Sequence, residues 1–206
     1  MTTELIAALA VFAFVSSITP GPNNLMLMTS GINFGMRRTV PHMLGVSIGF
    51  TLMIALIGLG VMKVIDAVPG SMLFITIASG LYLLYMAWKI ATTSTSPAEN
   101  GAAAVKSKPF TFLQAALFQW INPKAWTMAL TAISAYAPKS QGWAGVFIVV
   151  GIFGIINLPS TGAWAVLGAK MRRFLSDPVR LKTFNVIAAI LLVGSLYPMV
   201  ASLLAH

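Results

Sequence analysis

The sequence predicts an all-α, polytopic membrane protein with six transmembrane helices as a 3+3 inverted repeat with broken helices 1 and 4. Three observations carry that expectation. The 206 residues are 58% hydrophobic and only 8% charged, far from the balance of a soluble domain. Two long apolar segments, one in each half, are interrupted by polar clusters containing proline, and lysine and arginine gather in alternate loops.

The first span runs from about Leu5 to Ile32 in two pieces of roughly 14 and 10 residues, about 36 Å at the helical rise and enough for one crossing. Between them lies Ser17-Ile18-Thr19-Pro20-Gly21-Pro22-Asn23-Asn24. Each proline lacks an N–H and clashes with the carbonyl one turn back, while Gly21 removes the side-chain restraint between them, so about one turn of backbone loses its helical partners. Irregular main chain at membrane depth is tolerated only inside protein or beside a wet cavity, so the break is expected to face the bundle interior. Glu4 is the only early charge and no basic stretch precedes the apolar run, so this segment reads as a span rather than a cleavable signal.

Arg37 and Arg38 mark a short loop, and the second span is expected from about Pro41, a residue suited to a first helical turn, to Met62. A turn through Lys63, Asp66, Pro69 and Gly70 leads to the third span, roughly Met72 to Trp88, which closes on Tyr85, Trp88 and Lys89 in the manner of an interfacial belt. Span four is expected from Phe110 to about Ala135, interrupted at Asn122-Pro123-Lys124. Span five follows from about Trp143 to Leu167 with Asn157 and Pro159 inside it, and span six from about Phe184 to Leu204.

The chain reads as a single transmembrane domain, 1–206. Residues 91–109 are small, polar and punctuated by proline, as a linker would be. They separate a first three-helix repeat, 1–90, from a second, 110–206. Three is odd, so the halves must be inverted, and broken helices at corresponding positions of two halves point to a midplane substrate site in a secondary transporter. Ten basic residues fall in the first, third and fifth loops, and Lys63 and Lys139 alone in the second and fourth. That asymmetry places the odd loops and the linker in the cytoplasm and both termini in the periplasm.

Other classes are excluded on chemistry. The net charge of +9 would suggest nucleic acid for a soluble protein, but the basic residues lie between apolar spans, so no nucleic acid partner is expected. There is no cysteine, and no Asp or Glu lies within a span, so no metal and no cofactor is expected. Gly45-Val46-Ser47-Ile48-Gly49 matches a nucleophile-elbow pattern, yet that elbow needs a strand-to-helix turn. Inside an apolar helix, Gly45 and Gly49 read as a close packing face instead, one that permits a homodimer without requiring it. No base stands beside a nucleophile, so an enzyme is not expected.

The candidate binding residues follow from the two breaks. Thr19, Pro20, Gly21, Pro22, Asn23 and Asn24 offer neutral polar groups and the free N–H groups of a half-helix, which attract a carboxylate. Asn122, Pro123 and Lys124 place an ammonium near membrane depth, a functional hypothesis in itself, although a lysine there also suits the carbonyl end of a half-helix. Gln119, one turn earlier, and Asn157 in span five join them as polar walls. Lys124 and His42 are the candidates for proton coupling, His42 being otherwise expected at the interface.

At Thr19-Pro20-Gly21-Pro22-Asn23-Asn24, Gly35, Gly45 and Gly49, then Gly80-Leu81-Tyr82-Leu83, Ala87-Trp88-Lys89 and Asn122-Pro123-Lys124, the chain resembles the LysE/RhtB family of bacterial amino-acid exporters. Within it, Gly49-Phe50 and Ala87-Trp88-Lys89-Ile90-Ala91-Thr92 are most similar to the cysteine and O-acetylserine exporter branch. The resemblance implies a multi-pass inner-membrane carrier for small amino acids, an antiporter using the proton motive force, with membrane lipid, a small amino acid and protons as its partners. One departure bears on coupling. Many family members carry Asp just after the second glycine of span two, where this chain has Phe50, so an Asp-based proton site does not carry over. The sequence alone leaves two rivals open, a channel with a continuous polar pore and a non-transporting membrane scaffold subunit.

Overall fold

In a computed structural model, residues 1–93, 108–175 and 177–197 are described. Most of the expected linker and the end of the sixth span lie outside them. The described residues form helices α1 (Thr3–Ile18), α2 (Pro22–Phe34), α3 (Met36–Gly58), α4 (Val61–Asp66), α5 (Ser71–Ala91), α6 (Phe112–Phe118), α7 (Pro123–Tyr136), α8 (Gly142–Met171) and α9 (Pro178–Gly194), with no strand among them. Single turns of 3-10 helix join α6 to α7, at Gln119–Ile121, and precede α8, at Lys139–Gln141.

The helix boundaries follow from local chemistry. The Thr2 hydroxyl accepts from the Leu5 N–H and caps α1, and Thr111 and Gln114 form a reciprocal capping box at α6. Asn122 caps α7 and Asp177 caps α9, each followed by proline at the first helical position. The first span breaks where expected, α1 and α2 meeting at 52°.

Two boundary expectations need correcting. α3 begins at Met36 and not at Pro41, because Gly35 supplies the left-handed turn, with φ 77°, that ends α2 and starts α3. Pro41 therefore sits in the second turn, where its missing N–H unpairs the carbonyl of Arg37, an exposed residue at the helix end. The turn expected at 63–70 contains the short helix α4, which starts after Gly60 in the left-handed conformation.

Among the described residues, three helices are long and apolar enough to cross a membrane, namely α3, the 73–91 part of α5, and α8, while the bent α1–α2 pair makes a fourth. The pieces of the second broken segment are short and α9 has 17 residues, so the six-span count goes beyond what length and hydropathy alone establish. Phe74, Leu81, Ile155 and Tyr197 are each more than three-fifths exposed, as side chains facing lipid would be.

Packing runs between the halves rather than within them. α8 lies against α1, α2 and α3, α3 lies against α6 and α7, and α5 pairs with α9. Glycines set these crossings. A methyl group on Gly168 would overlap the backbone of Met28, and one on Gly31 the backbone of Ala165; on Gly45 and Gly49 it would meet Phe112 and Ala116 of the α6 segment. The expected close packing face of α3 is thus present, directed at α6. Two apolar clusters form the core, one around Leu27, Val46, Leu83, Phe118 and Leu192, the other around Leu9, Phe50, Met53, Ala129 and Phe153.

A polar chamber between two broken helices

The two breaks border one cavity of about 30 Å³. It is lined by Ser16 and Ser17 from the end of α1, Gly21, Asn23 and Asn24 from the break and the start of α2, Phe50 from α3, Asn122, Lys124, Ala125 and Met128 from the second break and α7, and Asn157 and Thr161 from α8. Proline-induced interruption of both apolar segments is what brings main-chain polar groups to this depth. A volume of this order holds about two water molecules, so an organic molecule needs the chamber to widen.

The acceptors at the first break are all taken. The Thr19 hydroxyl donates to the carbonyl of Ser16 at 3.0 Å. Asn24 Nδ2 donates to the carbonyls of Ser17 and Thr19, both at 2.8 Å, and Trp164 Nε1 reaches across from α8 to the carbonyl of Ile18 at 3.0 Å. Lys124 Nζ donates to the Thr19 carbonyl at 2.7 Å, the Thr19 hydroxyl at 2.9 Å and the Pro20 carbonyl at 3.3 Å. Lys124 thus occupies the negative end of α1, a favourable place for a cation, and spends all three of its N–H donors there.

The donors are not taken. No side chain caps α2, and the backbone N–H groups of Asn23, Asn24 and Ala125 have no partner among the described residues. Two helix N-termini, with their partial positive charge, therefore look onto the chamber beside an ammonium, with no carboxylate among its walls. Three side chains add unpaired groups. Ser17 Oγ is buried without a partner among the described residues. The Asn157 amide, on a residue only 3% exposed, makes no side-chain hydrogen bond among the described residues, and the Asn122 amide donates to none of them. Buried polar groups are nearly always paired with protein, water or ligand, so this set marks a place where something polar binds.

The expected residues divide into lining and bracing groups. Gly21, Asn23, Asn24, Asn122, Lys124 and Asn157 line the chamber. Thr19, Pro20, Pro22, Gln119 and Pro123 stand around it. Gln119 is fully buried and exchanges amide hydrogen bonds with Asn23 at 2.8 and 3.2 Å while donating to the Ala115 carbonyl, which ties the two breaks together. His42 is elsewhere. It lies in a second cavity, fully buried within the protein and stacked on Phe110.

Ser16, Ser17, Phe50, Ala125, Met128 and Thr161 were not expected. Thr161 follows Asn157 by one turn and so shares its face, and the Ser16-Ser17 pair sits just ahead of the break. Phe50 matters more, because the position where the resembled family often carries Asp faces the chamber.

The chain matches the family model described as LysE type translocator over residues 14–195. It is 30% identical over 197 residues to the cysteine/O-acetylserine efflux protein of Escherichia coli strain K12, covering 94% of this chain and 96% of that one. The protein of the same description from Shigella sonnei strain Ss046 matches with the same identity and coverage, and that from Escherichia coli strain E24377A is 29% identical. No solved structure matches the chain significantly.

Proposed function

Because this chain belongs to the LysE type translocator family, we propose that it exports small neutral amino acids or their derivatives, cysteine and O-acetylserine among them, across the bacterial inner membrane, driven by the proton motive force. One observation carries the reading. At the first break every backbone acceptor is paired, while the backbone N–H groups of Asn23, Asn24 and Ala125, at two helix N-termini, have no partner among the described residues and belong to walls of a chamber that also holds an ammonium. Such a site attracts a carboxylate and repels a lone cation.

A zwitterion fits the remaining walls. Its carboxylate meets the amides of Asn23, Asn24 and Ala125, and its ammonium meets the side-chain oxygens of Asn157 and Ser17. A short side chain lies against Phe50 and Met128. Lys124 has a double role in this scheme. Its bonds to Thr19 and Pro20 latch the chamber closed, and an arriving carboxylate competes with those carbonyls for the ammonium, which couples substrate binding to release of the latch. Lys124 is also the proton-coupling candidate nearest the substrate, since His42 lines a separate cavity. The broken helix in each half and the mirrored packing of α3 on α6 and of α8 on α1–α2 support six spans in an inverted repeat, with the basic loops cytoplasmic and both termini periplasmic.

The test is efflux of radiolabelled cysteine and O-acetylserine from proteoliposomes, with and without an imposed proton gradient. The expected result is saturable flux, accelerated by the gradient, and at least about tenfold slower in Asn157→Leu. Flux that rises in proportion to concentration without limit would identify a channel, and absence of flux of either compound would remove the proposal in favour of a scaffold.

A further inference from the structure

A second cavity, of about 40 Å³, lies between the C-terminal half of α2, the start of α3, the end of α5 and the segment that leads into α6. It is at the end of the molecule where the basic loops gather. Asn33 and Asn185 exchange amide hydrogen bonds there, at 3.1 and 3.3 Å, joining α2 to α9, and Gly35 adjoins Arg172. Its walls are mostly apolar, Met86 and Phe110 among them.

Its floor carries polar groups that the fold leaves unsatisfied. Both ring nitrogens of His42, 1% exposed, lack a partner among the described residues, and so does Thr29 Oγ1, on a residue 5% exposed. One nitrogen of an imidazole is always a donor, and a threonine hydroxyl is another. Their neighbours are already committed. The Ser30 hydroxyl pairs with that of Thr39 at 2.9 Å, and the Asn33 amide is shared between the Thr29 carbonyl and Asn185. Lys89 and Lys108 complete the wall, Lys89 Nζ lying 5.5 Å over the Phe110 ring that His42 stacks upon. No acidic residue lines the cavity among the described residues.

Unpaired buried donors beside two ammonium groups, with apolar sides, make a receptor for one small carboxylate once the cavity, which at about 40 Å³ holds about three water molecules, widens to admit it. We propose that this cavity is a second binding site of the protein, in which a small amino acid docks through its carboxylate at His42 and Thr29 before it passes along α2 to the chamber. The passage rests on the export reading; the binding of a carboxylate here does not. α2 carries both sites, since Thr29 lies about two turns beyond Asn23 on the same helix. Lys89 and Lys108 draw the anion in from solution, and the floor holds it without a charge.

The chain has two histidines, His42 and His206, so in a His206→Gln background the ring nitrogens of His42 give the only histidine signals. Protein with nitrogen-15-labelled histidine in phosphatidylcholine nanodiscs is titrated with acetate, with O-acetylserine and with ethanolamine. The expected result is a saturable shift of the His42 signals with the first two and none with ethanolamine, which lacks a carboxylate. Lys89→Gln with Lys108→Gln should raise the half-saturating concentration about tenfold, and unchanged signals before titration would show that this variant is folded. Lys124→Met should leave the acetate shift intact, so loss of export and loss of this site are read separately. Signals that stay still up to concentrations that saturate efflux would overturn the proposal. So would signals that move only when phosphatidylglycerol is added, which would assign the cavity to a lipid phosphate.

Discussion

The two breaks look alike in sequence and are held in opposite ways. At the second, the backbone is held locally, since Asn122 caps its own helix through the Lys124 amide at 3.1 Å and Trp126 Nε1 donates to the Trp120 carbonyl six residues back at 2.8 Å, while the side chains of Gln119 and Lys124 reach out to the first break. At the first, the carbonyls of Ile18, Thr19 and Pro20 are met by Trp164 and Lys124, which come from the other half of the chain. The second is a fixture that forms with its own segment. The first exists only while the two halves stay in register, so it is the one that a relative movement of helices can undo. Asn24 is the exception within the first break, because its amide spans Ser17 and Thr19 locally.

This contrast can be broken by substitution. Lys124→Met should act most strongly, leaving the Pro20 carbonyl and the Thr19 hydroxyl without their charged donor while the Thr19 carbonyl keeps Asn24, with a loss of about 2 kcal/mol in detergent unfolding and at least about a tenfold fall in efflux. Asn24→Ala should come next, at about 1.5 kcal/mol, because the buried Ser17 carbonyl loses its donor while the Thr19 carbonyl keeps Lys124; the same denaturation series measures it. Asn122→Ala should cost only about 1 kcal/mol, the value of one cap, and Asn122→Ser should return most of it. A larger loss at Asn122 than at Lys124 would reverse the contrast. The smallest effect sharpens it. A methyl group on Gly21 would lie 2.7 Å from Lys124 Cδ and 3.2 Å from its Nζ, and since a lysine end can move, Gly21→Ala should change stability by less than about 0.5 kcal/mol yet slow efflux by disturbing the latch. Equal efflux in Gly21→Ala and unsubstituted protein would show that the position of Lys124 at the first break has no part in transport.

The broken helices were legible in the sequence because proline and glycine act on their own backbone, whatever surrounds them. The pairing of the breaks was legible only as a symmetry expectation. The Asn23–Gln119 bond joins residues 96 positions apart, and no local rule specifies such a partner. Ser17 and Thr161 were hidden for a different reason. A hydroxyl on an apolar helix most often bonds the carbonyl one turn back, as Thr161 does with Asn157, so the sequence does not separate it from a wall of a site. Pro41 misled because proline is favoured in a first turn, whereas Gly35 had already set the helix start. The burial of His42 was not legible because it depends on Phe110, which approaches from the second half.

The contacts at Gly31, Gly168, Gly45 and Gly49 limit how such a molecule can breathe. With bare backbone on backbone at those crossings, α2 is wedded to α8 and α3 to α6, each couple drawing one member from before the linker and one from after it. Swinging the amino-terminal half as a block against the carboxyl-terminal half would have to pull these seams open. Where α8 also lies along α3, side chains such as Val146 and Thr51 make the contact, so sliding between the couples costs less than parting either seam, and the midpoint of the chain is no guide to a hinge.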